Sequence, residues 1–320
     1  MHAASVILLT WAMIGAACLV SPVGTAALGG VLAVLVAVVG LPHGAADHRF
    51  ARPRLEPIFG LAWAGLFLVG YGAIAAAVVV GWFLAPAATI VVFFLTSAWH
   101  FGQEEPRLLV GPSVLQPVFR FARGGLVIWT PMVFQADEVV RILSVTAPAG
   151  LGSDIQLAAR ALTACSWPLL VIAGFAWGLQ GLAAIQSRGR RRRILLVDNA
   201  MTLTFVVVFA LVSPMVGFLL YFCAWHSARG LRRLRRELGE SWSQLAVSLA
   251  PLTVATIALV AVLTGVVLRT PSWNDTLIRA TFIGLSAVAV PHLLLHGAGP
   301  YIEKVATQRA TRTLQMGSPV

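Results

Sequence analysis

The chain is 320 residues long, 58% hydrophobic and only 11% charged, with a mean hydropathy of +0.86. Its 23 Lys and Arg and 12 Asp and Glu are too few to wrap a 34.0 kDa particle in water, so a soluble globular protein is excluded and lipid is the natural solvent for most of the surface. The net charge of +11 does not mark a nucleic-acid binder: the arginines stand in short clusters between apolar runs, without interleaved aromatics, as at Arg190 to Arg193 and at Arg232, Arg233, Arg235 and Arg236.

Apolar runs long enough to cross the roughly 30 Å of a bilayer's hydrocarbon are predicted near 4–20, 26–42, 57–81, 87–103, 118–136, 157–183, 195–212, 214–231, 244–268 and 278–297. The first has no Lys or Arg ahead of it and no small-residue cleavage site, and is expected to be a retained span rather than a signal peptide. The seventh and eighth are separated only by Ser213-Pro214. Loop charge keeps them apart, because merging them would put the basic runs at 188–193 and 229–236 on opposite faces. With ten spans and a cytoplasmic N-terminus, 19 of the 23 cations fall inside, leaving Arg141, Arg160, Arg269 and Arg279 outside. The predicted fold is therefore all-α, a polytopic transmembrane helical bundle of eight to ten spans, multi-pass in the cell membrane with both termini cytoplasmic. One transmembrane domain is expected over 1–301 and a polar cytoplasmic tail over 302–320. The outer segment 137–156 reads as a simple connection, and Cys18, Cys165 and Cys223 lie in apolar segments with no disulfide or zinc-ribbon spacing.

Apart from His2, the histidines fall at or just beyond the ends of spans two, four, eight and ten: His43 and His48, His100, His226, then His292 and His296. On this topology all of these ends face the cytoplasm. One histidine at an interface is ordinarily a ring that suits that boundary, but imidazoles from four helices at one depth point to a functional cavity near the cytoplasmic face. Asp47 follows His43, and Glu104 follows His100, by one helical turn, where a carboxylate can accept the second ring N–H of a ligating histidine; balancing nearby arginines is the plainer role. Ala98-Trp99-His100 is echoed by Ala224-Trp225-His226, and Pro42-His43 by Pro291-His292, while His292 and His296 stand at i and i+4. HExxH and serine-hydrolase signatures are absent, which leaves a nitrogen-rich mononuclear site open to Zn, Cu, Fe or Ni on ligand type alone. Asp198 and Asn199 lie at the same expected depth, as groups behind the ligands or as a helix-start anchor.

At these residues the chain resembles the Brp/Blh family of membrane-bound β-carotene 15,15′-dioxygenases, which accompany microbial rhodopsins. The matching words are Pro42-His43-Gly44-Ala45-Ala46-Asp47-His48, Ser97-Ala98-Trp99-His100-Phe101-Gly102, Tyr221-Phe222-Cys223-Ala224-Trp225-His226-Ser227-Ala228-Arg229 and Pro291-His292, in the family's order. The resemblance implies a membrane enzyme that uses Fe(II) and O2 to split β-carotene into two all-trans-retinal molecules, with hand-off of retinal to a rhodopsin. It carries over His43, His100 and His226 as catalytic iron ligands. Asp47, His48, Glu104 and Asp198 become candidate supports, and Trp99, Phe101, Phe222 and Trp225 candidate walls of a polyene slot. One position departs from the family: where its pattern has a second histidine one turn after the first, this chain has Gly230. The fourth ligand is then left to His292, His296, Asp47, Glu104 or water.

Two other classes compete. A proton-coupled transporter needs carboxylates at the midplane and broken spans in both halves, whereas the span centres here are apolar. A non-catalytic carotenoid- or retinal-binding membrane protein of the same family is kept open by Gly230. For the basic runs, anionic headgroups of the bilayer are the expected partner, not nucleic acid.

Overall fold

The computed structural model describes residues 25–104, 112–147 and 151–316, which are helical with no strand among them. The expected first span, 4–20, lies outside the described residues, as does the Glu104 side chain. The helices are α1 (Thr25–Leu35), α2 (Leu41–Ala45), α3 (Asp47–Phe59), α4 (Trp63–Leu84), α5 (Pro86–Glu104), α6 (Gln116–Gly124), α7 (Leu126–Phe134), α8 (Ala136–Thr146), α9 (Gly152–Gln186), α10 (Gly189–Leu211), α11 (Pro214–Leu219), α12 (Ala228–Leu238), α13 (Trp242–Val266) and α14 (Trp273–Met316). Two π-helical segments, Val36–Gly40 and Leu220–Ser227, join α1 to α2 and α11 to α12.

Five stretches among the described residues are long and apolar enough to cross a membrane: Gly29–Leu84, Gly152–Gln186, Gly189–Leu211, Trp242–Val266 and Trp273–Gly299. Their outward faces are apolar, as at Val171, Val247, Val254 and Val262, which water would penalise and lipid accepts. The predicted break at Ser213-Pro214 is present, since α10 ends at Leu211 and α11 begins at Pro214. The run expected as one span over 118–136 is instead two nine-residue helices that meet at Gly125.

Where helices touch, the sequence supplies small residues or paired polar groups. A Cβ on Gly124 would strike the Ala98 carbonyl and the Gly102 amide, and one on Gly102 would strike the Arg120 carbonyl, so α5 and α6 meet backbone to backbone beside His100. Trp82 Nε1 donates to Ser286 Oγ at 2.7 Å, which fixes α4 against α14. Gly60, at φ +56°, turns the chain between α3 and α4. These helices run antiparallel, because Tyr71 and Asp47, nearly equidistant from that turn, are in contact. Arg49 of α3 is ion-paired with Glu240 just beyond α12, so two arginine-bearing segments lie on one side of the bundle.

Segment 137–156, expected as a connection, holds α8. Its Val139, Ile142, Leu143 and Thr146 are buried at helical spacing, while Glu138 and Arg141 pair on its outer face. Gln135 Nε2 donates to the carbonyls of Phe209 (2.9 Å) and Val212 (2.7 Å), and Arg279 Nε donates to the Val145 carbonyl at 3.0 Å.

Candidate metal centre

Each π-helical segment immediately precedes or contains a site histidine. Pro42 lacks an N–H and cannot continue the ordinary α-helical ladder into the turn before it, where the backbone widens. His43 follows. Phe218, Phe222 and His226 follow one another at i, i+4 and i+8, across the end of α11 and the second π-helical segment, and their rings form one column. Phe218 and Phe222 stack with centroids 5.2 Å apart, Phe282 joins at 6.2 Å from Phe218, and Phe222 lies 5.9 Å from the His226 ring.

Four imidazoles close a ring. Centroid separations run 5.0 Å from His43 to His226, 5.5 Å from His226 to His100, 5.0 Å from His100 to His292 and 5.1 Å from His292 back to His43. Neighbouring rings are turned edgewise, with interplanar angles between 60° and 87°. Ligand nitrogens of His43, His226 and His292 lie within 4.8 Å of one another.

A metal fits this donor set. Both ring nitrogens of His43 and Nε2 of His100 are buried with no hydrogen-bond partner, a costly state for imidazoles unless they bind an ion. With metal–nitrogen bonds of about 2.0–2.1 Å, centroids of imidazoles sharing one ion would stand roughly 5 Å apart, as these do.

Asp47 is 2% exposed and braces the ring from behind. His292 Nδ1 lies 2.8 Å, and His296 Nε2 3.3 Å, from its Oδ1. The Tyr71 hydroxyl shares its hydrogen between Asp47 Oδ2 at 3.1 Å and the Val288 carbonyl at 2.8 Å. The carboxylate expected behind His43 therefore serves His292 instead. Both of its ring contacts are with histidines of α14, which packs against α3 here. Asp47, His292 and His296 also place ligand atoms within 4.8 Å of one another. Asp47 already accepts from two rings and a hydroxyl, so a brace suits it better than a second metal site.

Tyr71, absent from the sequence-based site, leaves no motif, because only the antiparallel turn at Gly60 brings it to Asp47. Tyr71→Phe should weaken metal binding about 2- to 12-fold, the equivalent of about 0.5–1.5 kcal/mol for one net hydrogen bond, in a metal titration of the purified protein. Unchanged affinity would show that Asp47 does not depend on it.

The other expected site residues are placed as follows. His48 Nδ1 pairs with the Ala45 carbonyl at 2.7 Å. Asp198 pairs with Arg123 at 2.8 Å and with Gln180, between α6, α9 and α10, and makes none of its contacts to a histidine. Asn199 Nδ2 donates to the Trp177 carbonyl at 3.3 Å. Phe101 lies 4.9 Å from His226, and both Phe101 and Phe222 line a cavity, whereas Trp99 is about half exposed (47%) and outside its lining, and Trp225 packs against Phe205 and Arg229 away from it. A Cβ on Gly230 would lie 2.6 Å from His43 Nδ1 and 3.3 Å from Nε2, so the glycine leaves the space that His43 occupies.

The cavity starts at the four imidazoles and is otherwise walled almost entirely by apolar groups, among them Leu32, Phe93, Met132, Ile142, Met215, Phe218, Phe282 and Leu285. An all-helical bundle with apolar outward faces, holding a ring of imidazoles beside an apolar cavity, is the architecture of a polytopic membrane protein with histidines placed where they could hold a metal ion. The chain matches the family model described as Beta-carotene 15,15′-dioxygenase over residues 34–298, and it belongs to that family. It is 26% identical over 280 residues to the beta-carotene 15,15′-dioxygenase of uncultured marine bacterium 66A03, covering 82% of this chain and 90% of that protein. It is 27% identical over 276 residues to a probable beta-carotene 15,15′-dioxygenase Blh of Halobacterium salinarum (80% and 79% covered), and 28% identical over 219 residues to a probable Brp of that organism (64% and 58%). No solved structure matches the chain.

Proposed function

We propose that this protein cleaves β-carotene at its central 15,15′ double bond with O2, giving two all-trans-retinal molecules, at an Fe(II) held by His43, His100, His226 and His292. The observation that carries this is the closed ring of four imidazoles at the end of an apolar cavity. Family membership selects the reaction. Bound Fe(II) would supply the redox centre that makes O2 reactive toward an alkene. In the overall balance one carbon–carbon double bond and one O2 become two aldehydes, with no further reductant.

The chain's own residues bind, orient and keep the site dry. Asp47 holds the His292 ring through Nδ1, which fixes its tautomer and leaves Nε2 for the ion. The stacked column of Phe282, Phe218 and Phe222 lines the apolar cavity and leads a rigid polyene along its ring edges to His226. The apolar walls exclude water, and the substrate enters from the bilayer, in which it is already dissolved. The protein is a single transmembrane domain of the cell membrane with the metal centre toward the cytoplasmic side. This is supported by the arginines of α3 and α12, which directly follow His43 and His226. Retinal leaves into the lipid or to a rhodopsin.

Expression in bacteria that make β-carotene tests this. Loss of the yellow-orange colour with appearance of retinal is expected. Unchanged colour while the protein accumulates with iron bound would leave a carotenoid-binding protein without cleavage.

A further inference from the structure

The conjugated double bonds of β-carotene are chemically near-identical, so a ring of imidazoles cannot tell one from another. Only the position of the rod along the cavity can decide which bond lies at the centre. Away from the imidazoles, α8 contributes Val139, Ile142 and Leu143 to the cavity wall. Leu32 stands eleven residues before His43, Met215 eleven before His226 and Phe282 ten before His292, and all three line the cavity. At 1.5 Å per α-helical residue, and less through the π-helical segments, they lie roughly 15 Å from the imidazoles along their helices. Ile142 of α8 lines the cavity and is buried in one cluster with Leu32 and Met215, and α8 itself is held at the level of Val212 and Arg279, fourteen residues before His226 and thirteen before His292. Gln135 anchors one end of α8 to the carbonyls of Phe209 and Val212, and Arg279 anchors the other to those of Val145 and Ala147, so it is built to stay in place.

We propose that α8 is the stop that sets the register of the substrate, with Ile142 as the specificity-determining contact. One arm of β-carotene, from its central bond to its terminal ring, fills the depth between the imidazoles and α8. Because the molecule is symmetric, a single stop at one end places the central bond at the metal. The inference rests on the cleavage reaction proposed above and adds the reason it falls at the centre.

The test is the product pattern of purified protein supplied with β-carotene, resolved by chain length. Wild type is expected to give retinal alone. Ile142→Trp raises the floor and is expected to shift product from retinal to an unequal pair of aldehydes, one longer and one shorter. Ile142→Ala lowers it and is expected to give retinal mixed with unequal pairs. If the tryptophan variant does not accumulate, the alanine variant decides. Retinal as sole product from every accumulating variant overturns the stop while leaving the cleavage reaction standing. No aldehyde of any length from wild type overturns the reaction itself.

Discussion

His292→Ala is expected to lose all detectable retinal formation and to bind metal far more weakly, while His296→Ala keeps most of both. The two residues stand one turn apart on α14, yet only His292 belongs to the closed ring, at 5.0 Å from His100 and 5.1 Å from His43. The His296 side chain is 27% exposed, stacks on Phe50 at 4.1 Å and meets Asp47 on the outer side of the ring. Removing His292 takes away one of four nitrogen donors and leaves Asp47 as a buried carboxylate without its shorter imidazole bond. Asp47→Asn tests the same brace more gently. It keeps the size, removes the charge, and should reduce activity or metal affinity about 10- to 100-fold, as expected for a group that orients a ligating histidine. Activity assays with metal analysis of each variant check this. Equal losses for His292→Ala and His296→Ala would place the ion between Asp47 and these two rings instead.

Gly230→Ala should cost roughly 10- to 100-fold in metal affinity, the scale on which displacing the support of a ligand acts, even though it adds a single methyl group. That methyl would sit inside the space of the His43 ring, which must swing away to admit it. Gly230→His is expected to add no activity, since the larger side chain meets the same obstacle and the ring of four is already closed by His292. The family's histidine at this position suggested from sequence that the glycine was a loss. In the folded chain it is the condition for the His43 placement. Iron titration of the glycine, alanine and histidine forms decides it, and a gain of activity in Gly230→His would show that His292 is not an adequate fourth ligand.

The bundle and the histidines were legible because lipid imposes a strong rule. Long apolar runs must be helices, and the break at Ser213-Pro214 together with the arginine clusters sorted their ends. That sorting alone brings His43, His100, His226 and His292 to one depth. What stayed hidden depends on contacts between distant segments and on local departures from regular helix. Asp47 stands a turn after His43 in the sequence, yet the rings that reach it come from α14, and the π-helical turn over Leu220–Ser227 carries no residue signature. Helix α8 was masked for a different reason. Its eleven residues mix charged and apolar groups too closely to register as a span, and only the bundle shows what its buried face lines. Tyr71 illustrates a third limit, since a contact across an antiparallel turn leaves no periodicity to read.

Stripping the purified protein of metal and restoring it with Fe(II) while retinal is measured shows whether His43, His100, His226 and His292 hold the one ion needed for cleavage. Retinal formation is predicted to be absent without iron, to rise in proportion to added Fe(II), and to level off at one ion per chain, with His292→Ala silent throughout. Retinal formed by the stripped protein, or by His292→Ala at the wild-type level, would contradict it.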